Sequence, residues 1–507
     1  MRLGGRARPA HRASARLRLA LVGLGLAAAL IVATTYWQTW ATAGLADRQD
    51  NEIQRVAQFS IKRGLIRAAD GTVLATNRKK RVAGQTLYFR RYPQRGLFAH
   101  IVGYSTQSRS RSGLEASEND YLTGSNANLH TVLNTTLDRI RGATIRGNDL
   151  WLTLRPGAQR VAMEQLRGQC GSVVALDPRT GAVLAAASRP TFDPNLVEND
   201  FSAINNIRAS CSPPAPLLNR ATDGLFVPGS SFKVVTSAAA LDSGLYTIDS
   251  SFFDKGYCIE YGKQVNNFAD QGRVEQFGSV NFLQALEHSI NAVFCEIGKT
   301  IGAGRILGTS KQFGFYADPP LETPAKERAP SGLYHHGKLF YPSDPATQVD
   351  PGRLAFGQET MVVTPLQMAM VAAAVANHGV VMKPYVVGRV TGPGGGVIQR
   401  THPEKYKRAM RRSTAADLTR MMEAVVTGGT GTAAQLPGIR VAGKTGTAET
   451  GGAGTLNTTW FIAFAPAEAP RVAIAVVLQN QSGSGGTTAA PIARAVMQAL
   501  LAGRSNP

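Results

Sequence analysis

The chain has 507 residues, 43% of them apolar and 18% charged, and its 55 Lys and Arg against 34 Asp and Glu give a formal net charge of +21. These are the proportions of a globular protein with material for two or three domains. The basic excess would suit a nucleic-acid protein, but no nucleic-acid motif or aromatic-interleaved basic helix accompanies it, so no nucleic-acid partner is expected.

Much of the charge sits early. Arg2, Arg6, Arg8, Arg12, Arg16 and Arg18 crowd a basic tail, residues 1–18, and Arg78-Lys79-Lys80-Arg81 follow later. Residues 19–40 then run for 22 positions without a charge and end on Tyr36, Trp37 and Trp40. That span can cross a bilayer once, with the Arg-rich tail inside and everything after Trp40 on the outer face. A cleaved signal peptide is the rival reading, since Ala41-Thr42-Ala43 resembles a cleavage site. The apolar run exceeds a usual signal core and favours a retained anchor.

Residues 45–59 read as a polar stalk. Residues 63–75, with Asp70-Gly71 at their centre, read as strand, turn and strand. From 88 to about 147 the chain is mixed, and residues 41–150 are assigned to a small α+β module. The remainder, 151–507, forms the main domain. Its predicted elements are a helix over 156–166, apolar strands at 172–176 and 182–187, and helices at 232–241, 282–297 and 365–377. Thr364 is the expected N-cap of the last, Pro365 its first residue, and Gly379 lies just past its end. Strands at 460–465 and 472–478 and a helix over 489–501 close the chain, with 392–396 and 483–486 as loops. Continuous apolar strands point to a sheet buried on both faces. Strand pairs at both ends with helices between them predict an α/β sandwich.

The cysteines, Cys170, Cys211, Cys258 and Cys295, lack C-x-x-C spacing, and their three possible pairings are left open. Cys295 reads as a small buried residue rather than a reactive thiol. The eight His include His335-His336 but no metal-ligand spacing, so no metal or other cofactor is expected.

Pro228-Gly229-Ser230-Ser231-Phe232-Lys233 opens a buried helix, so Ser230 stands near its N-terminus with Lys233 one turn on. A hydroxyl and an amine so placed can act as nucleophile and proton acceptor. Ser289-Ile290-Asn291 and Lys444-Thr445-Gly446-Thr447 follow in order. Any one of these motifs alone is uninformative. The ordered S-x-x-K, S-x-N, K-T-G triple resembles that of penicillin-binding proteins and class A β-lactamases. The flanks are similar to class B penicillin-binding proteins in particular. They include Asn219-Arg220-Ala221, Asp177-Pro178-Arg179-Thr180-Gly181, Gly357-Gln358 and Thr364-Pro365-Leu366-Gln367, although Glu359 stands where that family commonly has Gly. Upstream, Arg63-Gly64 and Gly113-Leu114-Glu115 look like the family's anchoring module.

The resemblance implies the penicillin-recognising serine-transferase fold: a central antiparallel sheet with helices on both faces and an all-helical lobe. It implies a D,D-transpeptidase. Ser230 would attack the D-Ala-D-Ala carbonyl of a peptidoglycan stem peptide, and an amine on another stem would take the acyl group. β-Lactam antibiotics would acylate the same hydroxyl. Lys233 must be neutral to accept the proton, a state held by about one lysine in 2,500 at pH 7 without help. Lys444 or desolvation would supply that help. Ser289 would relay protons and Asn291 would orient Lys233 or bind the substrate amide. Lys444, Thr445 and Thr447 would receive the terminal carboxylate, Gly446 would keep the strand clear, and the N–H groups of Ser230 and Thr447 would form the oxyanion hole. A membrane glycan polymerase and other wall-synthesis or division proteins are the implied protein partners.

Residues 438–445 also satisfy the P-loop formula G-x-x-x-x-G-K-[ST], but Gly- and Thr-rich sequence follows where a helix is required. No E-x-x-L-N stands between Asn291 and Lys444 to serve a β-lactamase. A D,D-carboxypeptidase, or a β-lactam sensor or wall scaffold without activity, are the rivals that share the fold.

Overall fold

The computed structural model describes residues 10–36, 59–82, 84–125, 144–270, 273–449 and 456–502. The chain divides into one unit of Met1–Ser60 and another of Ile61–Pro507. In the first, α1 spans Ala10–Tyr36 and exposes Leu21, Leu24 and Leu30. Among the described residues, no helix is long and apolar enough to cross a membrane. The expected anchor at 19–40 extends past α1, and residues 37–40 and nearly all of the expected stalk lie outside the described residues.

The second unit opens with β1 (Ile66–Arg67), β2 (Val73–Val82) and β3 (Gln85–Arg91). β1 and β2 pair antiparallel around Asp70-Gly71, as the turn signal predicts. Gly113-Leu114-Glu115 matters here because Glu115 is buried between Arg63 (2.9 Å) and Arg90 (2.6 Å). Burial alone would raise the Glu115 carboxyl, but Arg90 and Arg63 more than reverse this and hold it below the usual range. β4 (Asp149–Leu152) lies parallel to β1.

Next come α2 (Pro156–Gln165), β5 (Gly171–Leu176), β6 (Val183–Arg189) and α3 (Lys233–Asp242). β7 (Ser251–Asp254) then pairs antiparallel with Gly278–Asn281, and β8 (Tyr257–Glu260) and β9 (Lys263–Asn266) form a hairpin. The expected helix over 282–297 is two helices, α4 (Phe282–Glu287) and α5 (Asn291–Ile301). Ser289, at φ +62, breaks the run between them. Both halves are amphipathic, so periodicity alone hides a break made by one left-handed residue.

α6 (Pro365–Ala376) begins where expected, with Thr364 Oγ1 accepting from Gln367 N at 3.2 Å. β10 (Val387–Thr391) and β11 (Val397–Arg400) are not predicted from the sequence. They complete a six-stranded sheet in the order β11-β10-β4-β1-β2-β3, so strands from the C-terminal half join those of the N-terminal module. After α7 (Arg412–Thr427) come β12 (Ala442–Glu449), β13 (Asn457–Ala465), β14 (Val472–Gln481) and α8 (Gly485–Ala502). The helix thus begins inside the expected loop at 483–486. Gly485 lies so close to β12 and β13 that a Cβ there would meet Trp460 O at 2.3 Å and Gly446 O at 2.4 Å. Glycine at this helix start serves close approach and not a turn.

The second sheet runs β12-β13-β14-β5-β6, antiparallel throughout. Val174, Leu176, Ile462 and Phe464 feed one core; Val173, Ala175, Phe461 and Ala463 feed the other. Alternate residues of one apolar run therefore bury opposite faces, as the unbroken hydrophobic strands predict. α6 covers one face, and α2 and α8 the other. With α3, α4, α5 and α7 packed together as a helical lobe, the sandwich expected from the sequence is present.

Candidate active site

The first motif is not yet α-helical at its serines. Residues Gly229–Phe232 form a 3-10 turn and α3 starts at Lys233. Gly229 has φ +51 and donates its N–H to Gly357 O at 3.1 Å, while a Cβ there would meet Thr447 O at 2.7 Å. The turn is therefore wedged between β12 and the 357 loop. Ser231 is fully buried and donates its hydroxyl to Pro228 O at 2.8 Å. Ser230 is partly exposed and lines a cleft of about 600 Å³. Of the two adjacent hydroxyls, Ser231 is engaged as a local cap and Ser230 faces the cleft.

Lys233 is fully buried. Its Nζ donates to Ser289 O at 2.7 Å and to Asn291 Oδ1 at 2.7 Å, approaches Ser289 Oγ at 3.2 Å, and lies 5.1 Å from the Phe294 ring centroid. Burial first, and then the neighbouring Lys444 cation, push this amine well below the usual lysine range. Two acceptors at 2.7 Å use the two N–H bonds of a neutral amine, which leaves its lone pair free to accept a proton. Both acceptors come from the motif that breaks the α4–α5 run. The left-handed Ser289 turns its carbonyl and hydroxyl toward Lys233, and Asn291 follows as the first residue of α5.

Lys444 is also fully buried, on β12. Burial pushes it down to about 7. Its Nζ reaches Ser289 Oγ at 2.9 Å, Thr445 O at 3.0 Å and Thr445 Oγ1 at 3.3 Å. A single hydroxyl, Ser289 Oγ, thus lies between two buried amines and can pass a proton between them. Gly446 allows the serine turn to rest on the strand: a Cβ there would meet Pro228 O at 2.9 Å and Ser231 N at 3.1 Å. Thr445 and Thr447 line the cleft, and Thr447 Oγ1 accepts from Gly485 N at 3.2 Å. Glu449 is the last residue of β12. Lys444 sits inside a strand with no helix after it, so residues 438–445 lack the geometry of a phosphate loop.

All eight residues singled out from the sequence (Ser230, Lys233, Ser289, Asn291, Lys444, Thr445, Gly446 and Thr447) are gathered in or beside this one cleft. Thr430 was not singled out, yet it lines the cleft and hydrogen-bonds Thr445 Oγ1 at 2.7 Å. Its only sequence signal is the Gly428-Gly429-Thr430-Gly431 loop. Asn267, directly after β9, was also missed; it lines the cleft and caps α5 by accepting from Ala292 N at 2.9 Å. The cysteines pair as Cys170–Cys211 and Cys258–Cys295. Cys295 is buried as expected, and its sulfur is bonded.

A serine, a buried amine and a second buried cation around one cleft, on this sheet, define a serine acyltransferase of the penicillin-recognising class. Residues 171–498 match the penicillin binding protein transpeptidase domain, and residues 63–150 match the penicillin binding protein A dimerisation domain. The chain belongs to the penicillin-binding protein transpeptidase family. It is 34% identical over 512 residues to peptidoglycan D,D-transpeptidase PbpA of Mycolicibacterium smegmatis, covering 96% of this chain and 98% of that one. Against PbpA of Mycobacterium tuberculosis it is 33% identical over 513 residues, with the same coverage of 96% and 98%. The ceftriaxone acyl-enzyme structure of M. tuberculosis penicillin-binding protein A matches at TM-score 0.78 and 32% identity, over 88% of this chain and 100% of that one.

Proposed function

We propose that this enzyme is a peptidoglycan D,D-transpeptidase working through an acyl-enzyme on Ser230. The observation that carries the reading is the convergence of Lys233 and Lys444 on Ser289 Oγ beside the Ser230 cleft, at 3.2 and 2.9 Å. In acylation the Ser230 oxygen bonds to the carbonyl carbon between two D-alanines. Lys233 takes the serine proton, the C–N bond breaks, and Ser289 returns the proton to the departing amine of D-alanine. The N–H groups of Ser230 and Thr447 hold the developing oxyanion, and Lys444, Thr445 and Thr447 hold the terminal carboxylate. An amine of a second stem peptide then attacks the ester, its proton leaves by the same relay, and Ser230 is released. Asn291 keeps Lys233 in place throughout.

A β-lactam amide enters the same steps, but its leaving nitrogen stays tethered, so the adduct persists. Labelled penicillin is expected to add its full mass to a peptide containing Ser230. Ser230→Ala abolishes the adduct and Ser231→Ala retains it; an adduct that survives Ser230→Ala would refute the assignment.

The proposed setting is the outer face of the membrane, with residues 19–40 as a retained single-pass anchor. The Arg-rich tail and the uncharged run support this. The full chain is expected to stay with membranes through an alkaline carbonate wash, and its release would contradict the anchor. A membrane glycan polymerase is the proposed protein partner, on family kinship alone; failure of the two full chains to co-purify from detergent would count against it.

A further inference from the structure

Asn291 and Ser289 hold Lys233, but something must hold them. Ser289 has a left-handed backbone (φ +62), and Asn291 stands at the first turn of α5, where backbone N–H groups have no partner within the helix. Ile290, the N-cap, has no side chain able to accept from them. The acceptor comes from elsewhere. Asn267 Oδ1 takes the Ala292 N–H at 2.9 Å, and Asn266 O takes Asn291 Nδ2 at 3.2 Å.

Asn267 is itself fixed. It is buried, its N–H donates to Gly256 O at 2.9 Å, and its Nδ2 donates to Glu275 O at 3.0 Å and to the Asp254 carboxylate at 2.9 and 3.1 Å. Asp254, also buried, accepts in addition from Gly256 N and Phe277 N, each at 2.9 Å. The acceptors around Asn267, the Asp254 carboxylate and Glu275 O, determine which end of its amide points where. The NH2 end faces a carboxylate and a carbonyl, so the oxygen end is presented to α5. The Cys258–Cys295 disulfide ties the same hairpin to α5 one turn further along.

We propose that Asn267, oriented by Asp254, is a positioning residue for the transfer reaction. It caps α5 from outside the helix and so keeps Asn291 and Ser289 aimed at the Lys233 amine. The proposal rests on the acyl-enzyme reading above. Asn267 lines the cleft. Its side chain and that of Asp254 are engaged with each other and with Glu275 O, Ala292 N, Gly256 N and Phe277 N, and not with Lys444, Thr445 and Thr447 on the carboxylate-binding side. Their loss is therefore expected to slow the chemical step and leave penicillin's initial binding unchanged.

The test is pre-steady-state acylation of the full chain by labelled penicillin, separating the first-order acylation rate from the dissociation constant of the non-covalent complex. Asn267→Ala is expected to lower the rate by on the order of 100-fold, as for a misplacement of about 1 Å. The dissociation constant stays within about twofold and labelling at long times stays stoichiometric. Asn267→Asp sets two carboxylates face to face and is expected to be slow as well. Asp254→Asn puts an NH2 where the Asn267 NH2 and the Gly256 or Phe277 N–H now find an acceptor, and is expected to slow acylation with the dissociation constant again within about twofold.

Three results would overturn the proposal: a wild-type rate in Asn267→Ala, a wild-type rate in Asp254→Asn, or a loss of labelling stoichiometry that matches the loss of rate. The last marks Asn267 as a general stabiliser of the fold. If the parent chain itself gains no adduct on Ser230, the acyl-enzyme reading fails first, and the two failures are thereby distinguished.

Discussion

Lys233→Met is expected to acylate Ser230 about 100- to 10,000-fold more slowly than the parent at neutral pH, the usual contribution of a positioned general base. Methionine fills nearly the same buried volume and keeps helix propensity, so the comparison isolates the amine. In the parent, Lys233 is fully buried, and Ser289 O and Asn291 Oδ1 each take one of its N–H bonds at 2.7 Å. Burial and Lys444 both disfavour its ammonium form. The base is therefore available far below the usual lysine value of about 10.4. The parent's acylation rate is expected to fall on the acidic side as Lys233 gains a proton, and the Lys233→Met rate to lack that limb. A parent profile that is flat with pH, or a variant that keeps the parent's acidic limb, would contradict the assignment.

The same burial has a cost in stability. A lysine with a lowered folded-state pKa binds a proton more readily when unfolded, so stability rises with pH between the folded and unfolded values. For Lys444 that window runs from about 7 up to 10.5. Below it the folded chain itself carries the charge that burial disfavours. This active site is held against the preference of its own cations.

Gly357→Ala is expected to destabilise the chain by roughly 3 kcal/mol, from left-handed strain together with overpacking. It should also slow acylation by on the order of 100-fold, through a displaced nucleophile. Gly357 has φ +78, and a Cβ there would stand 2.1 Å from Gly229 O and 2.7 Å from Phe232 Cβ. Its own carbonyl accepts the Gly229 N–H at 3.1 Å. The methyl group cannot be accommodated without moving the turn that carries Ser230. Gly244 supplies the control, with φ +77 and nothing within 4 Å of where a Cβ would stand. Gly244→Ala meets the same backbone strain without the clash and is expected to lose about 1 kcal/mol and no acylation rate. Denaturant melts and penicillin labelling on both variants separate the two effects. Equal losses in both would show that the 357 contact does not hold the nucleophile.

The local chemistry was legible in the sequence because three short motifs, from Ser230 to Thr447, kept their order and flanks. The catalytic sheet was legible as well, since uninterrupted runs such as Val173-Val174-Ala175-Leu176 have few alternatives to a strand buried on both faces. What escaped was set by partners remote in the chain. Val387–Thr391 becomes a strand by pairing with Asp149–Leu152, and nothing local marks that partnership. Gly485 starts a helix because Trp460 and Gly446 press against it, where a Gly-rich stretch reads as loop. The break at Ser289 is enforced by what that turn must face. Asn267 reads as an ordinary loop polar residue until the helix it caps is in place. Backbone geometry at Gly357, where a family motif is matched, and at Glu359 (φ +58), where it is not, is likewise invisible in one sequence.

The most direct test of the central claim is the partition of the Ser230 acyl group between an amine and water. The full chain would be given a donor stem peptide ending in D-Ala-D-Ala with a second stem peptide as acceptor, and the products resolved by mass. The expected result is a cross-linked dimer with release of one D-alanine, lost together with the penicillin adduct in Ser230→Ala. Release of D-alanine with only the shortened, hydrolysed donor would contradict it and make the enzyme a carboxypeptidase.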